Sequence, residues 1–488
     1  MTKSGNPRFH LSRRALLAGA VAMGGGLAAL PLRGVEGEAR PRTVLRAAEV
    51  ERRLVPDQPA PSRLRLYNGE VMPVLRLRRG QMAELRLENG LPDEHTTIHW
   101  HGLRIPHGMD GVPYITQPPV EPGENFTYRF APPDAGTFFF HPHCNTVEQL
   151  GRGLAGVLIV EDPEEPAVDA DLVLAYKDWR LNPDGSLGPF LTLKGAAGPG
   201  THGSLQSVNG LPLKGEAAPD FAVPAGGDLR LRLLNLDVTR LLDLYVVGAD
   251  AWLIATDGMA LPPLPLSALP YSAWRLGPAM RADLALRMPA EPGAVVELRN
   301  LRGTRPDLIA RLRAAGPALA RPPFVPPALP GPHLPEPRLD GAPVVPMAFE
   351  TVATRSPAPP ALAGLPFADD LCLAPRTLWA INGRTWPEQG HAHPPEPLAA
   401  LRQGRSYILE LDNRSKQIHP IHLHGHSFKV LSSSTDPDLP VHWADTTLVG
   451  PGERRRIALV ADNPGDWMFH CHIIEHQETG MMGLLRVG

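Results

Sequence analysis

Cysteine is nearly absent: three residues, Cys144, Cys372 and Cys471, serve a chain of 488. So few exclude a disulfide framework as the source of stability. Cys144 and Cys372 read as buried free thiols rather than a pair. Aromatic residues make up only 6% of the chain. Positive charge is not in excess either, with 48 Lys and Arg against 51 Asp and Glu. That balance argues against a nucleic-acid partner, which would favour a basic face. Beyond the first forty residues no apolar run is long enough to cross a bilayer. Methionine is sparse and scattered; of 12, only Met481-Met482 are adjacent.

What the chain does have is 57 Pro and 47 Gly, with 43% hydrophobic residues. Frequent turns between short strands, packed as β-sandwiches, fit that composition. Near the N-terminus, Ser12-Arg13-Arg14-Ala15-Leu16-Leu17 opens an uncharged Ala- and Gly-rich stretch that ends at Arg33. A twin arginine before a mildly apolar segment reads as a Tat-type signal over 1–39, removed after export by the Tat machinery. The four glycines in this stretch weaken it as a membrane anchor. The expected location is therefore periplasmic or secreted, without stable membrane insertion after cleavage.

A repeat organises the rest. Asn-Gly, a proline-containing stretch and an alternating strand ending in Asn recur three times. The copies run from Asn68-Gly69 to Asn89, from Asn209-Gly210 to Asn235, and from Asn382-Gly383 to Asn413. Each alternates apolar with polar residues, the period of a half-buried strand. Three copies predict three related β domains, at 42–163, 168–318 and 347–488. Eleven prolines crowd 317–346, which predicts an extended linker over 319–346.

The outer copies share more. Pro122-Gly123-Glu124 precedes His141-Pro142-His143, and Pro451-Gly452-Glu453 precedes His470-Cys471-His472, with nineteen residues from proline to histidine in both. The middle copy has no such histidines. Four His-x-His elements result: His99/His101, His141/His143, His422/His424 and His470/His472. On a strand, residues two apart point to one face, with Cα atoms roughly 6.5 Å apart. Eight imidazoles can thus converge between the first and third domains. Cys471 points to the opposite face. With His419, His476 and a weak axial Met481 it makes the His₂Cys-plus-Met set of a blue-copper site, where a soft thiolate stabilises cuprous copper. Structural zinc prefers cysteine-rich four-ligand sets, and ten histidines with one cysteine do not match it.

These motifs resemble the three-domain multicopper oxidases, the family of laccases and bacterial cuprous oxidases. His99-Trp100-His101-Gly102, His141-Pro142-His143, the run from His419 to His424, and the segment from His470 to Met481 stand in family order. The resemblance implies an all-β chain of three cupredoxin-like Greek-key sandwiches and four copper ions. By motif position, His419, Cys471, His476 and Met481 would hold the type 1 copper, and His99 and His422 the type 2. His101, His141, His143, His424, His470 and His472 would share the type 3 pair. A phenol, an aromatic amine or cuprous ion would be oxidised at type 1, electrons would pass through Cys471, and dioxygen would be reduced to water.

Asp110, eleven residues after His99, stands where relatives carry an acidic residue near the type 2 copper, and is the candidate general acid/base. Asp110-Gly111 also suits an ordinary turn. Several bacterial relatives have Glu after the last type 1 histidine, where this chain has Gln477. Glu475 or Glu478 would then relay protons or simply face solvent. Asp445 would either orient a donor or serve the structure. His95, His107 and His426 read as neighbours of ligands or surface residues, and His391/His393 as part of an exposed loop. Two other readings compete. A copper nitrite reductase-like enzyme does not need His472, and a copper-free structural relative would have lost its ligands. A simple electron carrier would leave eight histidines without a role.

Overall fold

A computed structural model describes residues 42–215, 217–303, 307–352, 377–387 and 393–488. The twin-arginine segment, Cys372 and His391 lie outside these residues. Six β-sheets dominate the described chain, two within 42–161, two within 170–315 and two within 344–487. Together they make three cupredoxin-like β-sandwiches. No described helix is long and apolar enough to cross a membrane.

The recurring Asn-Gly is where the sequence acts most directly on the fold. Asn68 and Gly69, Asn209 and Gly210, and Asn382 and Gly383 all have φ between 51° and 76°. A two-residue turn with both central φ positive suits a tight hairpin, and Asn-Gly adopts it at least cost. Each asparagine then reaches sideways to the strand that opens its sandwich. Asn68 accepts from Arg46 N and donates to Val44 O. Asn209 repeats this with Ala175 and Val173, and Asn382 with Ala348 and Pro346.

That opening strand pairs in parallel with the strand that ends each repeat. Arg42–Arg52 lies on Ala83–Gly90, Ala170–Trp179 on Asp228–Asn235, and Val344–Thr351 on Ser406–Asn413. The closing Asn89, Asn235 and Asn413 are buried. Each donates from its amide to two backbone carbonyls and accepts the amide N–H two residues on. A buried amide with these bonds satisfied ties the strand end to its loop.

Alternation sets the layers. In Ala83–Gly90, Leu85, Leu87 and Asn89 are buried while the residues between them are half-buried. Each sandwich has its own apolar core. A fourth cluster joins the first and middle sandwiches, with Leu64, Phe139, Leu150, Trp179, Phe190 and Leu234 in contact.

The proline-rich stretch differs from a free linker. It has no strand or helix until Val344, but it is packed as a strap. Arg104 Nη2 donates to His333 O at 3.1 Å, Phe324 lies 5.1 Å from the Trp252 ring, and Leu334 packs on the first core. Proline denies the strap ladder hydrogen bonds, yet leaves its side chains free to cover the sandwiches. Regular structure resumes inside the stretch, where Val344 pairs with Ile408.

Candidate copper centre

The eight paired histidines arise on two adjoining strand pairs and the turns after them. His99–His101 runs antiparallel to Gly136–His141 and sets His99 opposite His141. His419–Leu423 runs antiparallel to Gly465–Cys471 and sets His422 opposite His470. All eight imidazoles are at most 1% exposed. Residues of the first and third sandwiches alternate around one volume.

Within it, ligand-capable atoms gather in threes, each group spanning no more than 4.8 Å: His101, His141 and His472; His143, His424 and His470; His99, His101 and His422. The sequence predicts one shared pocket. The structure divides it.

The outward ring nitrogens are held. His99 Nδ1 donates to Asp110 O, His141 Nδ1 to Pro142 O, His422 Nδ1 to Asp445 O and His470 Nδ1 to Cys471 O, all at 2.8–3.0 Å. His101 is turned the other way, its Nε2 donating to Asp445 Oδ1 at 3.1 Å. Such bonds fix tautomer and ring orientation. The inward nitrogens, His99 Nε2, His101 Nδ1, His141 Nε2, His422 Nε2 and both of His472, have no hydrogen-bond partner among the described residues. Burial, followed by repulsion among the imidazoles, depresses the pKa of His101, His141, His424 and His472, which keeps them neutral, and His424 Nε2 stands 3.1 Å from His470 Nε2. Burying unpartnered lone pairs is costly unless a cation compensates them. The donor set suits copper.

Asp110 is buried against this group. Its Oδ2 accepts from His424 Nδ1 at 2.9 Å, and its Oδ1 lies 3.2 Å from His99 Nδ1. It touches one histidine from each of two clusters. His99, Asp110 and His424 form a group of their own.

A second centre lies one residue along the strand. His419 Nδ1 and His476 Nδ1 are 3.2 Å apart, and Cys471 Sγ stands 3.6 and 3.7 Å from them. Their far nitrogens are bonded, His419 Nε2 with Ser415 Oγ at 2.8 Å and His476 Nε2 to Gly198 O at 2.7 Å. Met481 is fully buried in the same apolar cluster as Cys471. Its carbonyl accepts from Cys471 N and its N–H donates to His476 O, both at 3.1 Å. Burial pushes the Cys471 thiol far up. A thiolate there needs a cation beside it. No imidazole cluster of this kind occurs among the described residues of the middle sandwich.

Of the two readings of Asp445 the structure favours the structural one: it is 1% exposed, paired with Arg281 Nη1 and Nη2 at 2.9 and 2.5 Å, and bonded to His101. It orients cluster imidazoles. Glu475 and Glu478 do not face solvent; both are buried. Glu475 is saturated by Arg180, Thr192 and Thr201, whereas burial raises Glu478 to about 8. Gln477 Nε2 donates to Glu478 Oε1 at 3.3 Å. Of the remaining histidines, His426 is buried and lowered to about 4, donating to His424 O. His107 Nε2 donates to Asp466 O, while His393 is exposed. Arg281, Asp257 and Gly198 carried no motif that could have flagged them.

Two sequence profiles described as multicopper oxidase match residues 50–165 and 373–488. Multicopper oxidase MmcO of Mycobacterium tuberculosis is 29% identical, covering 99% of this chain and 98% of its own. The crystal structure of a multicopper oxidase from Pseudomonas thermotolerans is 39% identical, with a TM-score of 0.80 over 92% of this chain and 99% of that one. One from Pseudomonas parafulva is 37% identical, with a TM-score of 0.78 over 92% of this chain and all of that one.

Proposed function

Because this chain belongs to the multicopper oxidase family, we propose that its two buried centres hold four copper ions, one type 1, one type 2 and a type 3 pair. The enzyme is a copper oxidoreductase that oxidises a small-molecule or metal-ion donor and reduces dioxygen. His419, Cys471, His476 and Met481 would hold type 1. His99 and His422 would hold type 2. The type 3 ions would divide the other six histidines, one taking His101, His141 and His472, the other His143, His424 and His470. The observation that carries this reading is the gathering of buried imidazoles into groups of three, with the inward nitrogens of His99, His101, His141, His422 and His472 unpartnered among the described residues. Copper would supply one-electron redox chemistry at the first centre and dioxygen binding at the second.

The chain's own residues handle position and protons. Four one-electron oxidations of donor and four protons convert one dioxygen to two waters. Cys471 spans the two centres, its side chain in one and its neighbours His470 and His472 in the other, so electrons cross a single strand. Asp110, bonded to His424 and beside His99, is the carboxyl group placed to pass protons into the cluster. Asp110→Asn is expected to lower kcat by about 10²–10⁴-fold, with copper content kept. The blue band should bleach during turnover, because donor oxidation then outruns dioxygen reduction. An unchanged kcat would remove Asp110 from the mechanism.

Three domains, at 42–163, at 168–318 and from the strand Val344–Thr351 to 488, joined by the packed strap that precedes that strand, belong to the same proposal, as does export of the chain by the Tat machinery to the periplasm or beyond. Phenols and aromatic amines are the proposed donors, with cuprous ion as the alternative. Copper analysis, a visible spectrum, and oxygen uptake with a phenolic dye and separately with cuprous ion test the reading. Four coppers per chain, an intense blue band and oxygen consumption are expected, and the faster donor identifies the class. A colourless protein that takes up no copper would instead be a structural relative.

A further inference from the structure

The middle sandwich has no copper-type cluster, yet one of its loops lies directly on the type 1 centre. Between strands Ala170–Trp179 and Leu205–Val208 a short helix, Leu193–Ala197, is capped by the Thr192 side chain, which accepts from Gly195 N at 2.9 Å. Gly198-Pro199-Gly200-Thr201 follows. The Gly198 carbonyl accepts from His476 Nε2, and the Ala196 carbonyl accepts from Trp379 Nε1, both at 2.7 Å. The Trp379 ring lies 4.6 Å from that of His476.

The loop is fastened from below by Glu475, the residue before His476. Its carboxylate accepts from Thr192 N at 2.8 Å, Thr201 N at 2.5 Å and the two threonine hydroxyls at 3.2 and 3.0 Å, with Arg180 Nη2 at 3.0 Å. The fit is close. A Cβ on Gly195 would stand 2.4 Å from Glu475 Oε1. One on Gly200 (φ +86°) would stand 2.4 Å from Thr239 Cγ2. Backbone must approach this tightly for a carbonyl to reach His476.

The consequence is that neither type 1 imidazole presents an edge to solvent. Ser415 closes His419, Gly198 closes His476, and both rings are fully buried. We propose that the segment Thr192–Gly203 is a lid that selects donors by size, because no donor can touch His476 while the loop is seated. This rests on the reading of His419, Cys471 and His476 as the type 1 site. Compact donors pass their electron across the Gly198 carbonyl and its hydrogen bond. Bulky aromatic donors stay too far away until the loop lifts. In either case the donor would lose one electron to the copper that His419, Cys471, His476 and Met481 would hold, which would accept it. No bond is made or broken, and no proton moves at the lid.

The test uses the copper-loaded full chain and two loosened forms, the double variant Thr192→Val/Thr201→Val and, separately, Gly200→Ala. The first removes two of the fastening hydroxyls and the second forces the loop away from Thr239. Anaerobic stopped-flow follows bleaching of the blue band by a bulky aromatic diamine and by ferrocyanide. Hydrogen–deuterium exchange of the copper-loaded chain, read by mass spectrometry, follows the amides of Thr192–Gly203. In wild type these amides exchange slowly, because the Glu475 carboxylate holds Thr192 N and Thr201 N. In both variants the segment exchanges faster and the diamine rate rises about tenfold, with the ferrocyanide rate and the blue band little changed. Exchange of this segment in wild type as fast as in an unfolded chain overturns the lid. So does a diamine rate that is unchanged in both variants. A wild type without the blue band overturns the type 1 assignment itself, and the lid with it.

Discussion

Cys471→Ser is expected to abolish the blue band and to lower oxygen uptake by about 10³-fold or more. The sulfur stands 3.6 and 3.7 Å from the two Nδ1 atoms, in a site with no exposure. Burial alone drives the thiol strongly toward its neutral form, so the thiolate exists only with a cation to offset it. A serine hydroxyl is harder and far less acidic, and it offers copper no soft anionic donor. The eight paired imidazoles are untouched, so copper should fall by one per chain rather than vanish. Donor oxidation fails because its acceptor is gone, although the dioxygen side is intact. Copper analysis and an oxygen electrode read both quantities. A persisting blue band in this variant would mean that the thiolate is not a ligand, and the type 1 assignment would fall.

Arg281→Met is expected to cost about 3–5 kcal/mol of stability, the usual loss when one member of a buried charge network is removed. Arg281 is fully buried, and its side chain bonds all three sandwiches. Nε donates to Thr137 O of the first. Nη1 donates to Ala279 O and Nη2 to Asp257 O of the middle one, and both reach the Asp445 carboxylate of the third. Desolvation would raise Asp445, but the Arg281 charge and its hydrogen bonds hold that carboxyl far below the ordinary range. Asp257 is pushed up to about 7, first by burial and then by the Asp445 charge. Methionine fills the volume but leaves Asp445 ionised and uncompensated, or forces it to take a proton. Either way His101 and His422 lose a fixed partner. Thermal unfolding should shift down by several degrees, and the type 2 copper resonance should broaden. Arg281→Lys should recover only part of the loss, because a single ammonium cannot reproduce the fork that grips both carboxylate oxygens. Stability within about 0.5 kcal/mol of wild type, the usual range for an inert surface change, would show that the network contributes nothing.

Much of the architecture was legible because its causes are local. Asn68-Gly69 and its two counterparts announce tight turns, since two consecutive positive φ values favour that dipeptide. The paired histidines are equally local. Residues two apart on a strand share a face whatever surrounds them, so His99 and His101, or His470 and His472, had to point together. Cys471 between the latter had to point away. The proline-rich strap was half legible: proline denied it a ladder, but nothing in composition says that His333 and Phe324 would be held against neighbouring sandwiches.

The sequence by itself determined the repeat, the strand-borne histidine pairs, the cysteine-centred blue-copper set and, through motif order, the family. Tertiary structure alone decided which imidazoles gather, so that His101 sits with His141 and His472 while His143 sits with His424 and His470. It alone decided between the two readings of Asp445 by setting it against the cluster, tied it to Arg281 164 residues earlier, and laid Gly198 on His476 278 residues later. The reason is physical. Direction along a strand is set by the backbone between adjacent residues, and spacing records it. Which faces meet is set by how three sandwiches pack, and that free energy is spread over cores and buried charges that no single stretch of sequence contains.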